Sequence, residues 1–495
     1  MSKPLPEFKK SGDKSVFLVD GQPFLILGLQ WDCDSCFTPH DMSPLFPHAA
    51  RMGANTATLP TPWRSIEPEP DRYDFSIIDE AIRCARENNM RIIPLWFGTW
   101  KNACSFYAPD YIRENPATYQ PALSRNGDSC ISLCYNSDIT WQRDRKALCE
   151  LMKHIREVDQ ERTVIMVQVE NEAGLLGTDR CYCPTCNERF AAGTWVEIPG
   201  VSPEEAFSTV CLAQYIDRLA GEAKAVYNLP MYVNVWLANP VGSIAGRDYP
   251  CGGAVPMTFD LYRQQLHHID LIAPDIYKAG FREFQWFSQV YCVPGNPYYV
   301  AEHSSSMVGR AERNVFYAIG QYGAVGFDPW AIDSPFPERE GHPLIDPVGG
   351  EWGLQAYWLR DSYVSIQRAI QPIVAAQGTP RLFTFVQDFP AENGTAWTDD
   401  GVDVIIGYRD RDHAARGMVI RLSQNEFLAL GVGFQVQFRR PRPSGQPVPL
   451  KKAEWGEYKG DKWVLHHPMR RERPESVGWP IVFLEPGVAK ITLDI

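Results

Sequence analysis

Short apolar segments alternate with amphipathic segments through the first two thirds of the chain, and this alternation constrains the fold most strongly. Eight apolar segments have the length of strands: Phe24–Leu29, Asn55–Leu59, Arg91–Trp96, Val164–Val169, Met231–Trp236, Leu271–Ala273, Tyr298–Ala301 and Gly323–Phe327. The helical patterns between them are Met42–Met52, Ile77–Glu87, Trp141–Glu157, Pro203–Tyr227, Phe259–His268 and Arg310–Gln321. Eight strands with interposed helices predict a parallel (β/α)₈ barrel, or TIM barrel, rather than an open sheet.

Different patterns flank these eight units. At the N-terminal end, Val16–Val19 and Phe24–Leu29 enclose the turn signal Asp20-Gly21, which predicts a β-hairpin. A long helical stretch, Glu351–Ala375, follows the last barrel strand. Beyond it the chain changes to short alternating strands, predicted as Leu382–Val386, Val402–Tyr408, Gly417–Leu422, Gly433–Phe438, Lys462–His466 and Ala489–Asp494. We therefore expect an α/β barrel with its hairpin over residues 1–378 and an all-β sandwich over residues 379–495.

Charge and cysteine usage exclude some partners and favour one compartment. The 48 basic and 60 acidic residues give a net charge of −12, which disfavours nucleic acid and anionic membranes as partners. No run of 18 apolar residues occurs and no apolar segment precedes Val16, so neither a membrane span nor an export signal is expected. All 13 cysteines lie before Val293, and without an export signal they are expected to be thiols or metal ligands in the cytoplasm.

Two predicted strands end in carboxylates. The segment Val164–Val169 runs into Glu170, Asn171 and Glu172, and the segment Tyr298–Ala301 runs into Glu302. About three βα units separate Glu172 from Glu302, which places them on strands four and seven, facing each other across the barrel mouth. Such a pair is what glycoside cleavage requires, since one carboxyl donates a proton while the other attacks or stabilises the anomeric centre. A helix cap or a buried ion pair is the alternative for either residue alone.

Three cysteines crowd into six residues in Cys181-Tyr-Cys183-Pro-Thr-Cys186, just after Glu172. With a fourth thiolate they would form a tetrahedral Cys₄ zinc site, which leaves no open position for substrate and is therefore structural. A reduced or redox-active cluster without metal is the alternative. No organic cofactor is expected.

The motifs around these residues resemble clan A glycoside hydrolases. The segment Val167–Glu172 is similar to the acid/base motif of family 35 β-galactosidases, and Asn55–Trp63 with Tyr73-Asp74-Phe75 resembles a region shared by families 35 and 42. The stretch Gly417–Phe438 resembles the small β-domain of some bacterial family 35 members. The chain departs from the family 35 pattern at Ala173, where a tyrosine is usual.

This resemblance implies roles for individual residues. Glu172 would be the acid/base, Glu302 the nucleophile, and Asn171 a hydrogen-bond partner of the sugar 2-hydroxyl. Family 42 members carry a similar cysteine trio whose fourth ligand precedes an Asn-Ser pair. Because Cys134 stands before Asn136-Ser137, it is the expected fourth ligand rather than Cys130 or Cys104.

Aromatic and polar residues at the predicted strand ends are candidate sugar contacts, since aromatic faces match the C–H face of a pyranose. We expect contacts from Trp31, Asp32, Trp100, Lys101, Asn102, Trp236, Tyr277 and Trp330. Trp63, Arg64, Asn234 and Asp275 also follow strand ends. Analogy with clan A implies that Tyr277 hydrogen-bonds the nucleophile and that Trp330 forms the floor of the first subsite.

The sequence therefore predicts a retaining, exo-acting β-glycosidase, with β-galactosides as the favoured substrates. Its partner would be a small β-linked oligosaccharide or glycoside, and homo-oligomerisation is expected only by analogy. Several alternatives remain open: a transglycosidase, a glycosidase for glucosides, fucosides or arabinosides, metal-dependent hydrolysis at the cysteine site, and a carbohydrate-binding protein without catalysis.

Overall fold

A computed structural model describes residues 3–12, 14–36, 38–193, 195–239, 241–278, 280–304, 310–331, 351–409, 414–469 and 480–495. Eight parallel strands close into a barrel, and each pairs with its neighbour in chain order, the eighth with the first. In chain order these barrel strands are Ile26–Gln30, Thr56–Pro62, Arg91–Lys101, Val167–Asn171, Met231–Trp236, Leu271–Ile276, Tyr299–Ser304 and Gly326–Trp330. The predicted TIM barrel is confirmed, with strand bounds shifted by a few residues.

Helices surround this barrel. In the described ranges they are Pro39–Met42, Leu45–Arg51, Trp63–Ile66, Ser76–Glu87, Asp110–Arg113, Asp138–Val158, Pro184–Ala191, Pro203–Val226, Phe259–Gln264, Phe281–Tyr291, Ala311–Phe316, Glu351–Gln367 and Ile370–Ala376, with a π-turn at Tyr317–Gln321 and a 3₁₀ turn at Cys33–Cys36. The longest of them starts as the sequence predicts, because Ser202 accepts a hydrogen bond from the Glu205 backbone N–H and Pro203 occupies the first helical position. None of the helices in the described part of the chain is long and apolar enough to cross a bilayer.

Some predicted elements differ from those observed. The N-terminal turn at Asp20-Gly21 is present, but its second arm is only Gln22–Pro23, because the residues that follow join the barrel instead. An additional strand that the sequence pattern does not predict, Glu7–Ser11, completes a three-stranded antiparallel sheet. The predicted helix Met42–Met52 is two helices, interrupted at Ser43-Pro44, since proline cannot donate the backbone hydrogen bond that a continuous helix needs.

Two antiparallel sheets follow the barrel and confirm the predicted C-terminal β-structure. One has six strands, in the order Leu382–Val386, Arg416–Arg421, Glu426–Val432, Gly487–Leu493, Leu450–Lys459 and Lys462–Pro468. The other has four strands, in the order Gly394–Asp399, Val402–Tyr408, Phe434–Arg439 and Ile481–Phe483. Phenylalanines from both sheets, such as Phe427 and Phe438, pack in one buried cluster between them.

The barrel and the β-structure are packed against each other. Arg416 is 2% exposed and donates hydrogen bonds to the Ser362 hydroxyl and to the carbonyl of Trp358, both on the helix after the barrel. A second contact is the hydrogen bond that the Tyr317 hydroxyl donates to Asp388 at 2.8 Å. Buried residues of the six-stranded sheet, including Met418, belong to the same apolar cluster as the helix layer of the barrel. The C-terminal strands therefore support the barrel wall directly.

Candidate active site and cysteine cluster

The end of barrel strand four has an unusual backbone. Glu170 and Glu172 have φ angles of 62° and 44°, in the left-handed region that non-glycine residues rarely occupy. The backbone N–H of Glu172 is held by the Asn234 side chain at 2.8 Å. Strained conformations of this kind concentrate at functional sites, where surrounding contacts enforce them.

Glu170 has a structural role beneath this turn. Its carboxyl is fully buried and accepts hydrogen bonds from the backbone N–H groups of Thr99 and Trp100 at 3.2 and 2.7 Å. Asp144 lies beside it and accepts from Thr99 and Tyr215. These bonds hold the irregular end of barrel strand three, where the pairing with strand four shifts register. The buried carboxyl of Glu170 is thus satisfied by the backbone of the neighbouring strand.

Three carboxyl groups meet at the barrel mouth: Glu172 from strand four, Asp275 from strand six and Glu302 from strand seven. One oxygen of each lies within 4.8 Å of the others. Asp275 and Glu302 are 2% and 3% exposed, and Glu172 is partly exposed. The structure therefore brings together the two glutamates that the sequence placed on opposite sides of the mouth.

Glu302 is surrounded by hydrogen-bond donors. One of its oxygens accepts from Gln30 at 3.0 Å and from Asn234 at 3.3 Å, and the other accepts from the Tyr277 hydroxyl at 2.5 Å. Donors that converge on both oxygens fix the orientation of this carboxyl group.

Burial raises the pKa of the other two carboxyl groups. Burial, reinforced by the charge of Glu302, raises the pKa of Glu172 to about 8, against the opposing influence of Lys101. Burial and both neighbouring glutamates likewise raise the pKa of Asp275 well above its ordinary value. Burial disfavours the charge of Lys101, but Cys33 and the three carboxyl groups outweigh it and raise its pKa. Burial and neighbouring charges thus act together on the pKa of all three ionisable groups around Glu302.

An amide network connects the ends of strands four and five. The side-chain oxygen of Asn171 accepts hydrogen bonds from the side-chain nitrogens of Gln168 at 2.9 Å and Asn234 at 3.2 Å. Asn234 also donates to Asp275 at 2.9 Å. The Asn171 amide nitrogen is buried and has no hydrogen-bond partner. Because a buried donor without a partner is costly, this nitrogen is a candidate contact for a ligand hydroxyl.

Several predicted sugar contacts lie around the three carboxyl groups. Lys101 is 6% exposed, and its charge acts on all three carboxyls. The Trp330 ring lies edge-on to the ring of Tyr277, with 6.4 Å between centroids. Trp236 and Glu172 both line an enclosed cavity of about 10 Å³, which has room for one water molecule. These residues lie at the mouth, at the ends of barrel strands three, five, six and eight.

Two other predicted contacts, Trp31 and Trp100, point away from the mouth. Trp31 packs edge-on against Phe46 and Trp100 against Tyr215, and the two tryptophans are at most 1% exposed. Successive residues of a strand face opposite sides, so the inward positions of Gln30 and Lys101 turn both tryptophans outward, toward the helices. The structure does not bring them to the carboxyl groups.

Asp32 and Asn102 are partly buried beside the mouth. The backbone N–H of Asn102 donates to the Asn171 carbonyl at 2.9 Å, which links the loop after strand three to the end of strand four. Among the additional strand-end residues, Asn234 and Asp275 are central to the site. Gln30 and Gln168 were not among the residues predicted from the sequence. Gln30 ends its barrel strand with a polar side chain, which is the signal that identified Glu172 and Glu302.

The four predicted cysteines form a buried cluster. The Cys134 sulfur lies 3.6, 3.6 and 3.4 Å from those of Cys181, Cys183 and Cys186, and all four residues are at most 2% exposed. Four sulfurs bound tetrahedrally at about 2.3 Å to one zinc ion are about 3.8 Å apart, so the spacing is close to that of a metal site.

Hydrogen-bond donors surround these sulfurs. The side-chain nitrogen of Asn136 donates to Cys186 at 3.2 Å, its backbone N–H to Cys134 at 3.4 Å, and the backbone N–H of Leu123 to Cys181 at 3.5 Å. Donors to sulfur suit thiolates bound to a metal. The cluster could therefore hold a metal ion, and it joins the segment after strand three to the loop after strand four.

Two parts of the chain match known protein families. Residues 46–198 match glycoside hydrolase family 42, described as beta-galactosidase, and this range contains Glu172 and all four cysteines. Residues 359–469 match a domain of unknown function, DUF5597, which starts within the helix that follows the barrel.

Two curated relatives are named as beta-galactosidases. The protein from Thermus thermophilus is 26% identical over 135 residues, which is 27% of this chain and 20% of the relative. The protein BgaA from Thermus sp. is 26% identical over 128 residues, 26% of this chain and 19% of the relative. The chain thus matches about a fifth of the length of either relative.

Similar solved structures include two glycosidases. Endo-glycoceramidase II from Rhodococcus sp. has a TM-score of 0.46 at 14% identity, covering 98% of this chain and 99% of that one. The endo-1,4-beta-mannanase from Rhizomucor miehei has a TM-score of 0.45 at 15% identity, covering 65% of this chain and 90% of that one.

Proposed function

We propose that the protein is a retaining, exo-acting β-glycosidase, and that β-galactosides are its preferred substrates. The observation that carries this proposal is the approach of the Glu172 and Glu302 oxygens to within 4.8 Å at the barrel mouth. Retaining enzymes hold their two carboxyl groups about 5–5.5 Å apart, whereas inverting enzymes leave about 6.5–9.5 Å for a water molecule. The family 42 match over residues 46–198 supports the preference for galactosides.

The first half of the proposed reaction uses both glutamates at once. A Glu302 oxygen attacks the anomeric carbon while the bond from that carbon to the leaving oxygen breaks, and Glu172 transfers its proton to the leaving oxygen. A pKa of about 8 leaves Glu172 protonated at neutral pH, as this step requires. The Tyr277 hydroxyl and the Gln30 amide hold the attacking carboxylate in place.

In the second half, Glu172 acts as a base. Its carboxylate takes a proton from water, the water oxygen bonds to the anomeric carbon, and the ester bond to Glu302 breaks, which regenerates both side chains. The unpartnered amide nitrogen of Asn171 would donate to an acceptor on the sugar, and we assign that acceptor as the 2-hydroxyl oxygen. Contacts to this hydroxyl strengthen in the transition state of such reactions.

We assign zinc to the cysteine cluster because four buried sulfurs at near-tetrahedral spacing match its preferred ligand set. Bound there, the ion would stabilise the fold. Cys134, Cys181, Cys183 and Cys186 would fill all four positions, so catalysis stays with the carboxyl groups. The cytoplasm is the compartment in which these thiols would stay reduced.

The function is tested with a panel of 4-nitrophenyl glycosides. We expect the β-galactoside to be hydrolysed with the highest kcat/KM, and proton NMR of early time points to show the β-anomer of the released sugar first. Failure to hydrolyse any glycoside of the panel would contradict the proposed function. Initial release of the α-anomer would contradict retention, and preference for another sugar would revise the substrate alone.

The pH dependence should report the proton on Glu172. Because this carboxyl must be protonated to act and its pKa is about 8, kcat/KM should fall as pH rises above about 8. The Lys101 charge favours the ionised form of Glu172, so Lys101→Met should move this alkaline limb upward by roughly one pH unit. Lys101→Arg, which keeps the charge, is the control. A limb that stays in place or moves to lower pH in Lys101→Met would contradict the assignment.

A further inference from the structure

A groove of about 460 Å³ lies beside the loop that follows barrel strand three, and the proposed chemistry does not use it. We call it the strand-three groove. Carbon-rich side chains form most of its lining, namely Phe106, Ile112, Pro116, Tyr119, Ile131 and Leu133. Ile131 is 53% exposed, so part of this apolar surface is in contact with water. Burying such a surface against a ligand is favourable.

The rim of the groove is close in the chain to Lys101, whose charge acts on the three carboxyl groups. Cys104 lines it and is only three residues from Lys101, so their Cα atoms are at most about 11 Å apart. The backbone N–H of Cys104 donates to the Asn102 side chain at 3.2 Å, and the N–H of Asn102 donates to the Asn171 carbonyl at 2.9 Å. Two hydrogen bonds thus connect the rim of the groove to the residue that precedes Glu172.

The strand-three groove lies nearer to one of the two glutamates along the barrel than to the other. A general acid lies within hydrogen-bond reach of the oxygen it protonates, so the leaving group departs on the Glu172 side of the mouth. Strand three pairs with strand four, whose end carries Glu172, while Glu302 is on strand seven. The strand-three groove therefore lies on the side from which the leaving group departs.

We infer that the strand-three groove binds the leaving group of the substrate, and that this aglycone carries an apolar chain or ring. The inference rests on the proposed function and specifies its substrate class. One charged side chain, Arg113, lines the groove, and its guanidinium donates to Asp110 at 2.8 Å. A second sugar would leave many hydroxyls without partners along this lining, whereas an alkyl or aryl group needs none.

The test compares two glycosides that share one sugar and leave as primary alcohols, methyl and octyl β-galactoside. Their intrinsic leaving-group reactivity is similar, so the kcat/KM ratio of octyl to methyl measures binding of the chain. Burying two methylene groups changes an affinity about tenfold, so we expect a ratio of at least about ten. Cys104→Trp, which fills the groove at its rim, should lower the ratio about tenfold. Ala117→Trp adds the same bulk to the exposed loop outside the lining and should retain it.

The failures of the two proposals are distinguishable. A ratio near one in the unmodified protein, or an equal ratio in Cys104→Trp and Ala117→Trp, would overturn the groove assignment and leave the glycosidase proposal standing. If Cys104→Trp dissociates an oligomer without changing the ratio, the groove is a contact between copies and the inference is wrong. If the unmodified protein hydrolyses neither glycoside, the proposed function itself is overturned.

Discussion

Replacing Glu302 with Gln is expected to lower kcat for aryl β-galactosides by about 10⁴-fold or more, with little change in fold. The amide keeps the size of the side chain but cannot form the ester bond to the anomeric carbon, and residues that form covalent intermediates contribute effects of this size. The measurement is kcat for 4-nitrophenyl β-galactoside, together with a circular dichroism spectrum to verify that the variant is folded.

Replacing Glu172 with Ala should instead produce a loss that depends on the leaving group. General acid catalysis contributes roughly 10²–10⁴-fold, but a 2,4-dinitrophenolate departs without protonation, so this substrate should retain the first step. The cavity left by the side chain admits azide, which attacks the glycosyl-enzyme without base assistance, and the β-glycosyl azide should accumulate.

The two variants are matched controls for each other. Azide should not rescue Glu302→Gln, because no glycosyl-enzyme forms in that variant. Equal residual activity of both variants on the same substrates, without rescue of either, would contradict the assigned roles. Rescue of Glu302→Gln alone, with a β-azide product, would exchange the roles of Glu172 and Glu302, because that product requires a glycosyl-enzyme formed on Glu172.

The sequence predicted the two glutamates because each ends a buried apolar strand, and a carboxyl there has few structural explanations. It could not predict the orientation of Trp31 and Trp100. Successive strand residues point alternately into and out of the barrel, so the direction of a strand-end side chain depends on which residues point inward. The register shift at the end of strand three changes this alternation and has no signature in the residue pattern. The contact between Gln30 and Glu302 depends on barrel closure, which joins residues 272 positions apart.

The C-terminal sheets show the same limit of pattern analysis. Buried strands such as Val402–Tyr408 alternate clearly and were predicted with correct bounds. Gly394–Asp399 is mostly exposed and Leu450–Lys459 is rich in lysine and glutamate, so neither shows the apolar period of a half-buried strand. Their positions follow from pairing with neighbouring strands, which a single sequence does not reveal.

Replacing one cysteine of the cluster should strongly lower the thermal stability of the protein. We expect the purified protein to contain about one zinc ion per chain by atomic emission, and Cys183→Ser to lose it. Zinc bound by four thiolates contributes several kcal/mol to folding, so Tm should fall by about 10 °C or more. Cys84→Ser is the matched control, since Cys84 is also buried but lies on the helix Ser76–Glu87, away from the cluster.

The response to a chelator separates a structural from a catalytic metal. Cys134 and Cys181 join the segments after strands three and four, and the loop that they hold begins just after Glu172. If the ion is structural, removing it with a chelator should lower activity and the near-ultraviolet circular dichroism signal together. Adding zinc back should restore activity only to the extent that the protein refolds. Activity lost from a protein that keeps its Tm would indicate a catalytic metal. An unchanged Tm and full activity without zinc would show that hydrogen bonds such as those from Asn136 hold the cluster without an ion.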